Sequence, residues 1–452
     1  MKELDTLAAL GLFDARVPRY TSYPTAPVFD GAVGAGFQAG CLAALDPAEP
    51  VSVYVHIPYC ERLCWFCACR TQGVRRPEPV VAYVAALEAE LEAVARHRPP
   101  GVAMGRLHWG GGTPTVLTPA LIARVAAAVR GVFPQDETFE FSVEIDPTAV
   151  DAARIAALAA EGMTRASIGV QDFAPDVQAA IGRPQSPGVT RDCVAALRKA
   201  GIGSLNIDLV YGLPGQSVAS FDATLDAVLS LEPDRIALFG YAHVPHVARR
   251  QRLIDERLLP DNRARYELAR LAADRLVMAG FDPVGIDHFA RPGDALARAA
   301  AKGRLRRNFQ GYTDDRCASL VGLGASSISR FPNGYVQNAP ATRTYVERVE
   351  AGQLAGVRGH RFEAEDWLRA RAIEMLMCDF AIDLAALERA FGPVAASALE
   401  TDHAIALAQF APFYRRRDRR LVIARHGPQL ARLIARVYDA HRAEGTVFSR
   451  AS

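Results

Sequence analysis

Between residue 51 and about residue 286, short apolar runs alternate with stretches of helical periodicity. The clearest helical stretch is 78–96, in which Val80, Val84, Leu87 and Leu91 form one stripe. Strands that alternate with helices are typical of βα units around a parallel sheet. Six runs rich in β-branched and aromatic residues predict strands at 51–57, 106–109, 139–145, 165–170, 204–210 and 235–240.

Polar side chains share one face of these predicted strands. In 139–145, apolar residues alternate with Glu140, Ser142 and Glu144, and successive side chains of a strand point to opposite faces. A barrel that hosts chemistry has polar groups at the carboxyl ends of its strands. An antiparallel meander with a solvated face is the alternative, but the intervening helices favour parallel crossovers. We therefore predict a polar barrel mouth that contains Tyr54, His56, Glu144, Gln171 and Asp208.

The periodicity changes on either side of the predicted barrel, 51–290. Residues 1–50 contain several prolines and glycines without a sustained period, which predicts an irregular arm covering the site. Residues 291–355 are expected to extend the barrel with loops near the substrate, and 356–452 to form a mainly helical domain with a small hairpin at 415–424. The predicted fold class is α/β, a partial (βα)6 TIM-like barrel with an N-terminal arm and a C-terminal helical domain.

Composition and charge narrow the class of protein. The chain has 452 residues, 50% of them hydrophobic and 23% charged, with a formal net charge of +2. This charge balance produces no strong electrostatic field that would attract nucleic acid or membranes. An anionic partner would therefore have to bind at local clusters of basic residues. The first fifteen residues do not resemble a secretory signal, and no apolar run approaches the roughly 18 residues of a membrane span. We expect a cytoplasmic protein without a nucleic-acid partner.

Four of the eight cysteines lie within ten residues, directly after the first predicted strand. Cys60, Cys64, Cys67 and Cys69 form a C-x3-C-x2-C-x-C pattern, and thiolates so close together favour zinc or an iron–sulfur cluster. Zinc sites usually pair two short cysteine hooks across a longer loop, so zinc is the less favoured alternative. The remaining cysteines are expected to be small buried hydrophobic residues, namely Cys41, Cys193, Cys317 and Cys378.

The cysteine spacing resembles the radical S-adenosylmethionine (SAM) superfamily, whose C-x3-C-x2-C motif is matched by Cys60, Cys64 and Cys67. The resemblance implies that these residues hold an oxygen-sensitive 4Fe-4S cluster, whose fourth iron binds SAM. Reductive cleavage of SAM then gives methionine and a 5′-deoxyadenosyl radical. The loop at 110–115 (GGGTPT) resembles the segment that contacts the methionyl amino group, and its glycines let the backbone approach a ligand closely.

Further blocks across nearly the whole chain resemble the oxygen-independent coproporphyrinogen III oxidases. The family implies decarboxylation of two propionates of coproporphyrinogen III to the vinyl groups of protoporphyrinogen IX, in haem biosynthesis. It also implies two SAM molecules, an electron donor such as a flavodoxin or ferredoxin, and a monomer. The blocks are PRYTSYPTA at 18–26, VEIDP at 143–147, GVQDF at 169–173, NIDLVYGLP at 206–214, YAH at 241–243, DHFA at 287–290 and NFQGY at 308–312.

The resemblance also implies roles for single residues. Carboxylates can hold ribose hydroxyls, and arginine or glutamine can hold a carboxylate or hydroxyl; a structural ion pair is the alternative for Glu144 and Asp208. Cys69 matches a cysteine that the family carries beside its three ligands, although Ala68 replaces the family's usual glycine. Tyr54, Gly111, Glu144 and Ile328 are implied to contact the cluster-bound SAM, with Tyr54 and Glu144 counted as catalytic beside the three cysteines. Phe66, Gly112, Thr113, Gln171, Arg183, Asp208 and Ala242 are implied to line the second SAM site, and Arg16, Arg19, Arg304, Arg306 and Arg307 are candidates to bind the substrate carboxylates.

Three alternatives stay open at this point. A radical SAM-like haem chaperone shares the barrel and three cysteines but lacks the arm at 19–26 and the additional cysteine, both of which this chain has. A haem-degrading or methylating radical SAM enzyme would give a ring-opened or methylated product. A zinc-bound structural protein would contain neither iron nor sulfide.

Overall fold

The computed structural model describes residues 2–441 and residue 448. Twelve strands form its main sheet. In chain order they are β1 (Val51–Ile57), β2 (Met104–Gly111), β3 (Gln135–Ile145), β4 (Met163–Gln171), β5 (Ser204–Tyr211), β6 (Arg235–Gly240), β7 (Asp282–Val284), β8 (His288–Ala290), β9 (Leu320–Leu323), β10 (Ile328–Phe331), β11 (Gly334–Asn338) and β12 (Gly356–Arg361).

The six predicted strands are confirmed as β1 to β6, which are parallel neighbours in that order. A seventh parallel strand, β9, pairs with the other edge of β1, with Tyr54 opposite Gly322. Strands β10 to β12 continue antiparallel beyond β9, and β8 and β7 continue beyond β6. Because parallel strands end at the same side, the carboxyl ends of seven strands meet at one mouth.

Helices connect the parallel strands and cover the sheet. The predicted helix at 78–96 is confirmed as α3. In chain order the helices are α1 (Lys2–Ala9), α2 (Ala35–Ala43), α3 (Glu78–Ala95), α4 (Pro119–Val132), α5 (Ala152–Ala160), α6 (Pro175–Ala180), α7 (Pro187–Lys199), α8 (Val218–Leu229), α9 (Asn262–Met278), α10 (Ala295–Ala301), α11 (Thr342–Glu350), α12 (Ala364–Asp379), α13 (Leu384–Phe391), α14 (Pro393–Ala396), α15 (Glu400–Gln409) and α16 (Gly427–Ala435).

The larger core lies between the sheet and these helices, where Val53, Trp109 and Val143 from the strands join Val84 and Ile122 from α3 and α4. The residues between these core-facing strand positions point to the other face of the sheet. Tyr54, Glu144 and Asp208 lie on that face and are half-buried. The predicted phase of the strands is therefore confirmed.

A second core joins the start of the chain to its C-terminal helices. Leu7, Leu12 and Val17 pack with Leu430 and Ile434 of α16. The expectation of an irregular arm over 1–50 was wrong where α1 and α2 form. Isolated helices of eight or nine residues are marginal in water, so α1 and α2 depend on packing against the rest of the protein.

The region after residue 291 contains more regular structure than its pattern indicated. Strands β9 to β11 lie in the stretch without a clear period, and β12 begins at 356, the predicted start of the C-terminal domain, yet pairs with β11 in the main sheet. The predicted hairpin is confirmed as Tyr414–Arg417 paired with Arg420–Ile423. Within the described part of the chain, we find no helix that combines the length and apolar character needed to cross a membrane.

Candidate active site at the barrel mouth

The loop after β1 carries the four neighbouring cysteines. Cys64 is buried, Cys60 and Cys67 are half-buried, and Cys69 is exposed. The hydroxyl of Thr113 donates to Sγ of Cys60 at 3.5 Å, and the backbone N–H of Cys69 donates to Sγ of Cys67 at 3.4 Å. Burial, together with the nearby thiols of Cys67 and Cys64, raises the pKa of Cys60 to about 11, while the hydrogen bond from Thr113 opposes the shift.

The spacing of the three thiols fits a cluster better than a zinc ion. Thiolates at about 2.3 Å from one tetrahedral zinc lie roughly 3.8 Å apart. Among the described residues, Cys60, Cys64 and Cys67 do not form a group whose ligand atoms all lie within 4.8 Å of one another. A cubane spaces its thiolates more widely because each binds a different iron. The donor set therefore fits a 4Fe-4S cluster with one iron free of protein ligands.

Two other segments of the chain hold the cysteine loop in place. Gln251 donates to the carbonyls of Phe66 and Ala242 at 2.7 and 3.1 Å, which brings these two predicted SAM-contacting residues together. Arg250 donates to the carbonyl of Thr71 at 3.0 Å, and the backbone N–H of Trp65 donates to the carbonyl of Ile181. The loop is thereby fixed to the far side of the barrel mouth.

The glycine-rich loop after β2 runs directly beneath the cysteine loop. The N–H groups of Gly112 and Thr113 donate to the carbonyls of Ile57 and Tyr59, both at 2.8 Å. Gly111 has a φ of 104°, and a Cβ at this residue would lie 2.3 Å from the ring of His56. Only glycine permits this close approach, so the loop forms a backbone cradle beside the thiols.

Tyr54, His56, His108 and Glu144 form one polar chain across β1, β2 and β3. The hydroxyl of Tyr54 lies 3.0 Å from Nδ1 of His56, and its ring stacks on His108 with centroids 5.7 Å apart. Glu144 accepts a hydrogen bond from the N–H of Gly111 at 3.0 Å and lies 3.5 Å from Nε2 of His108. Burial raises the pKa of Glu144, but these two partners outweigh it and lower the pKa overall. Glu144 is therefore an ionised acceptor.

A second polar group lies where β4 and β5 end. Asp208 accepts hydrogen bonds from Asn206 at 2.7 Å and Ser167 at 3.2 Å, and burial and the charge of Glu144 raise its pKa to about 6. Gln171 has a φ of 70°, which is uncommon for a residue other than glycine and is often found at functional sites. These groups lie on the mouth side of the sheet, next to the Glu144 chain.

Arg183 connects this second group to the cysteine loop. Its guanidinium donates to Sγ of Cys64 at 3.3 Å, to Asp146 at 3.0 Å and to the carbonyl of Gly169 at 2.8 Å. Its Nε is buried without a hydrogen-bond partner among the described residues. A buried donor without a partner is costly, and an anionic or polar ligand would satisfy it. These features fit the SAM that the sequence implies.

Every sequence-predicted SAM contact lies at the mouth, including Ile328, whose backbone contacts Gly322 beside Tyr54. Sequence reasoning assigned no role to His108, Asp146 and Gln251, which orient the predicted residues, although Asp146 lies within the block VEIDP. His108 follows the polar phase of its strand and was accessible from the pattern. Asp146 and Gln251 lie in connecting segments, where strand phase carries no information.

A cavity of about 1330 Å³ opens beside this group, between the barrel, the N-terminal arm and α16. It exceeds the roughly 300–1,000 Å³ of ordinary small-ligand pockets. Ala242 and Asp287 line it on the barrel side, and apolar walls come from Leu238 and Phe289. Three of the five arginines predicted to bind substrate line the cavity, namely Arg16, Arg19 and Arg307, whereas Arg304 and Arg306 do not. Three further arginines line the cavity as well, namely Arg265, Arg270 and Arg432.

A βα barrel with three thiols of a C-x3-C-x2-C loop at its mouth is the arrangement expected of a radical SAM enzyme. The family model of the radical SAM superfamily matches residues 54–228. The chain is 57% identical to the oxygen-independent coproporphyrinogen III oxidase of Cereibacter sphaeroides over 100% of both chains, and 52% identical to that of Paracoccus denitrificans over 98% of both. It also matches the solved coproporphyrinogen III oxidase of Escherichia coli, described as a radical SAM enzyme. That match has a TM-score of 0.89 and 35% identity, and covers 94% of this chain and 100% of that one. The chain belongs to the oxygen-independent coproporphyrinogen III oxidases.

Proposed function

We propose that this chain converts two propionate side chains of coproporphyrinogen III into vinyl groups without oxygen, giving protoporphyrinogen IX. Each propionate loses a hydrogen atom from its β-carbon to the 5′-deoxyadenosyl radical, its carboxyl group as CO2, and one electron to an electron acceptor, which leaves the vinyl group. The observation that carries the proposal is the arginine-lined cavity of about 1330 Å³, which adjoins the cysteine loop through Ala242 and Gln251. Its size and charge suit a tetrapyrrole with four carboxylates.

Cys60, Cys64 and Cys67 would hold the cluster, and Tyr54, Gly111, Glu144 and Ile328 would contact the SAM bound to it. When bound, the cluster and SAM supply a 5′-deoxyadenosyl radical, which abstracts hydrogen from the substrate. The protein contributes positioning: ionised Glu144 is held by His108 and Gly111 as an acceptor for ribose or amino groups. The arm at 19–26 closes the mouth from above and limits the access of water.

The second SAM molecule would lie between Phe66, Gly112 and Thr113 on one side and Gln171, Arg183 and Asp208 on the other, with Ala242 at the edge. Two observations support this place. Arg183 has a buried donor atom without a partner among the described residues. Burial and the charge of Glu144 raise the pKa of Asp208 to about 6. A ligand that donates hydrogen bonds would therefore stabilise the Asp208 carboxylate.

Arg19, Arg307 and Arg432 form the centre of the proposed carboxylate site. Burial and the charges of Arg19 and Arg307 lower the pKa of Arg432 to about 9. The Nε and Nη1 atoms of Arg307 are buried without a hydrogen-bond partner among the described residues. Burial and mutual repulsion destabilise these three cations, and a bound anion would offset both effects. Guanidinium groups also match carboxylates geometrically.

Reduction of the cluster requires an electron donor, for which we propose an acidic protein such as a flavodoxin or ferredoxin. The outer side of the cysteine loop forms a groove lined by Arg62, Arg75 and Arg76, the last two exposed. We propose that the donor docks there and that the chain acts as a monomer. Because exposed charges are screened by salt, donor-driven turnover should fall with ionic strength and in an Arg75→Glu, Arg76→Glu variant, while dithionite-driven turnover should not.

The test is an anaerobic reaction of the cluster-loaded protein with dithionite, SAM and coproporphyrinogen III, followed by mass spectrometry of the nucleoside and tetrapyrrole products. We expect divinyl product with about two 5′-deoxyadenosines per tetrapyrrole, and neither product from Cys64→Ala. SAM cleavage without decarboxylation would refute the substrate. Tight haem binding without SAM cleavage would refute the activity and favour a haem chaperone.

A further inference from the structure

Two histidines and an aspartate meet far along the chain from the cysteine loop. His360 ends the main sheet in β12, Asp366 lies in the first turn of α12, and His441 follows α16. Nε2 of His360 lies 2.8 Å from Oδ2 of Asp366, and Nε2 of His441 lies 2.5 Å from Oδ1. Among the described residues, this is the one trio of histidine, cysteine or acidic side chains whose ligand atoms all lie within 4.8 Å of one another.

The chemistry of the trio suits a divalent metal ion. Two imidazole nitrogens and a carboxylate are a common ligand set for zinc and for other first-row metals, with a water molecule in the fourth position. Ligands of a tetrahedral zinc at about 2.0–2.2 Å lie roughly 3.3 Å apart, and the ligand atoms of the trio already lie within 4.8 Å of one another, so adjustments of the side chains alone would form the site. The side chain of His441 is 33% exposed and that of Asp366 is 4% exposed, which leaves a solvent-facing side for water.

The surrounding contacts hold the three ligands in place. The N–H of Glu363 donates to Oδ2 of Asp366 at 3.0 Å. Asp439 accepts the N–H of His441 at 3.0 Å, and the rings of His360 and His441 meet edge to face at 4.9 Å. Ligands that are already oriented require little reorganisation on binding a metal.

The trio also joins the three parts of the protein that enclose the cavity. His360 belongs to the main sheet and Asp366 to the C-terminal helical unit. The ring of Tyr23 in the arm packs against His441 at 5.7 Å, and its hydroxyl accepts the N–H of Ala440. Tyr20, in the same arm, donates to Asp439 at 3.0 Å. An ion at this point would fasten the arm that carries Arg16 and Arg19 into the cavity.

We propose that His360, Asp366 and His441 bind one divalent metal ion, with zinc as the best-suited ion, and that this ion fixes the arm to the sheet and the C-terminal unit. The site shares no ligand with the proposed 4Fe-4S centre. The proposal stands on this geometry alone and does not depend on the proposed decarboxylation.

The experiment uses tag-free, full-length protein loaded with its cluster, so that Cys60, Cys64 and Cys67 are occupied. The protein is dialysed anaerobically against micromolar zinc chloride, and zinc and iron are counted by mass spectrometry. We expect about one zinc beside four irons per chain, and zinc-edge X-ray absorption with nitrogen and oxygen ligands but no sulfur. The midpoint of thermal unfolding should also rise on zinc addition.

His441→Ala and Asp366→Asn should lose the zinc and the rise in unfolding midpoint while keeping four irons. His97→Gln is the matched control, because His97 lies at the end of α3 and hydrogen-bonds the carbonyl of Ala93; it should retain both. Wild-type protein that takes up no zinc, or zinc that persists in folded His441→Ala, would overturn the site. A sulfur ligand in the absorption spectrum would also overturn it by assigning the zinc to cysteine.

Discussion

The Nη1 atom of Arg183 donates a hydrogen bond to Sγ of Cys64 at 3.3 Å, and the same atom donates to Asp146 at 3.0 Å. The side chains of Arg183 and Asp146 are 8% and 13% exposed. One buried guanidinium thus connects a proposed cluster ligand to the segment after β3, and its charge is compensated in the protein before any ligand binds.

We expect Arg183→Ala to destabilise the protein by about 3–5 kcal/mol, because Asp146 keeps its buried charge without its cation. SAM binding should weaken as well. Arg183→Lys keeps the charge but not the fork of donors, so it should recover part of the stability and little of the SAM affinity. Urea unfolding and equilibrium dialysis with SAM measure the two effects. Wild-type values of both in Arg183→Ala would show that the contact is incidental.

Replacement of Cys69 distinguishes a ligand from a neighbour of the cluster. The backbone N–H of Cys69 donates to Sγ of Cys67, and alanine retains this contact while it removes the hydrogen bond between the two thiols. Cys69→Ala should therefore keep four irons and their sulfides per chain, whereas Cys67→Ala should lose most of them. Chemical analysis and Mössbauer spectra after identical anaerobic reconstitution check this. Equal loss of iron in both variants would make Cys69 a ligand.

Arg307 and Arg304 are close in sequence but differ in position. Arg307 lines the cavity and lies over the ring of Tyr312 at 4.3 Å, whereas Arg304 is exposed outside it. Hydrogen bonds to charged groups contribute about 1.5–3 kcal/mol, so Arg307→Gln should raise KM for coproporphyrinogen III roughly 10- to 100-fold. Arg304→Gln should leave KM unchanged. Steady-state kinetics at saturating SAM give both values, and equal effects would remove Arg307 from the carboxylate site.

The barrel and its mouth could be predicted because strand phase and helical period are local properties of sequence. Glu144 and Asp208 were found this way, since each follows the polar phase of a strand that ends at the mouth. The motif around Cys60 identified the chemistry. Each of these predictions rests on a pattern that lies within one strand or one loop of the sequence.

The remaining features depend on contacts between distant segments. Strand β9 has four residues and becomes a strand through pairing with β1, where each residue's partner lies 268 positions earlier. Arg432 enters the cavity because α16 packs against the arm, where the side chain donates to the carbonyls of Val17 and Pro18. Neither feature has a period or a motif that reveals it. Helix α1 of the arm likewise packs Leu7 into the C-terminal core.

Glu90 gives the fold a dependence on pH that is separate from the active site. It is fully buried in α3 and accepts hydrogen bonds from the N–H of Gly324, the hydroxyl of Tyr345 and the amide of Asn338. Burial outweighs these partners and raises the pKa of Glu90 from 4.5 to about 7. Because the folded state binds this proton more tightly than the unfolded state, the stability that the proton contributes is fully present below about pH 4.5. It is lost as pH rises toward 7.

Glu90→Gln cannot ionise, so its stability should not fall with this titration. We therefore expect the free energy of unfolding of Glu90→Gln minus that of wild type to increase by about 2–3 kcal/mol from pH 5 to pH 8. Glu92→Gln, an exposed position on the same helix, is the control and should show no such change. Urea unfolding of the three proteins at both pH values gives the free energies. A difference between Glu90→Gln and wild type that is the same at pH 5 and pH 8 would mean that Glu90 keeps its charge in the folded protein, with the three donors around it sufficient to offset burial.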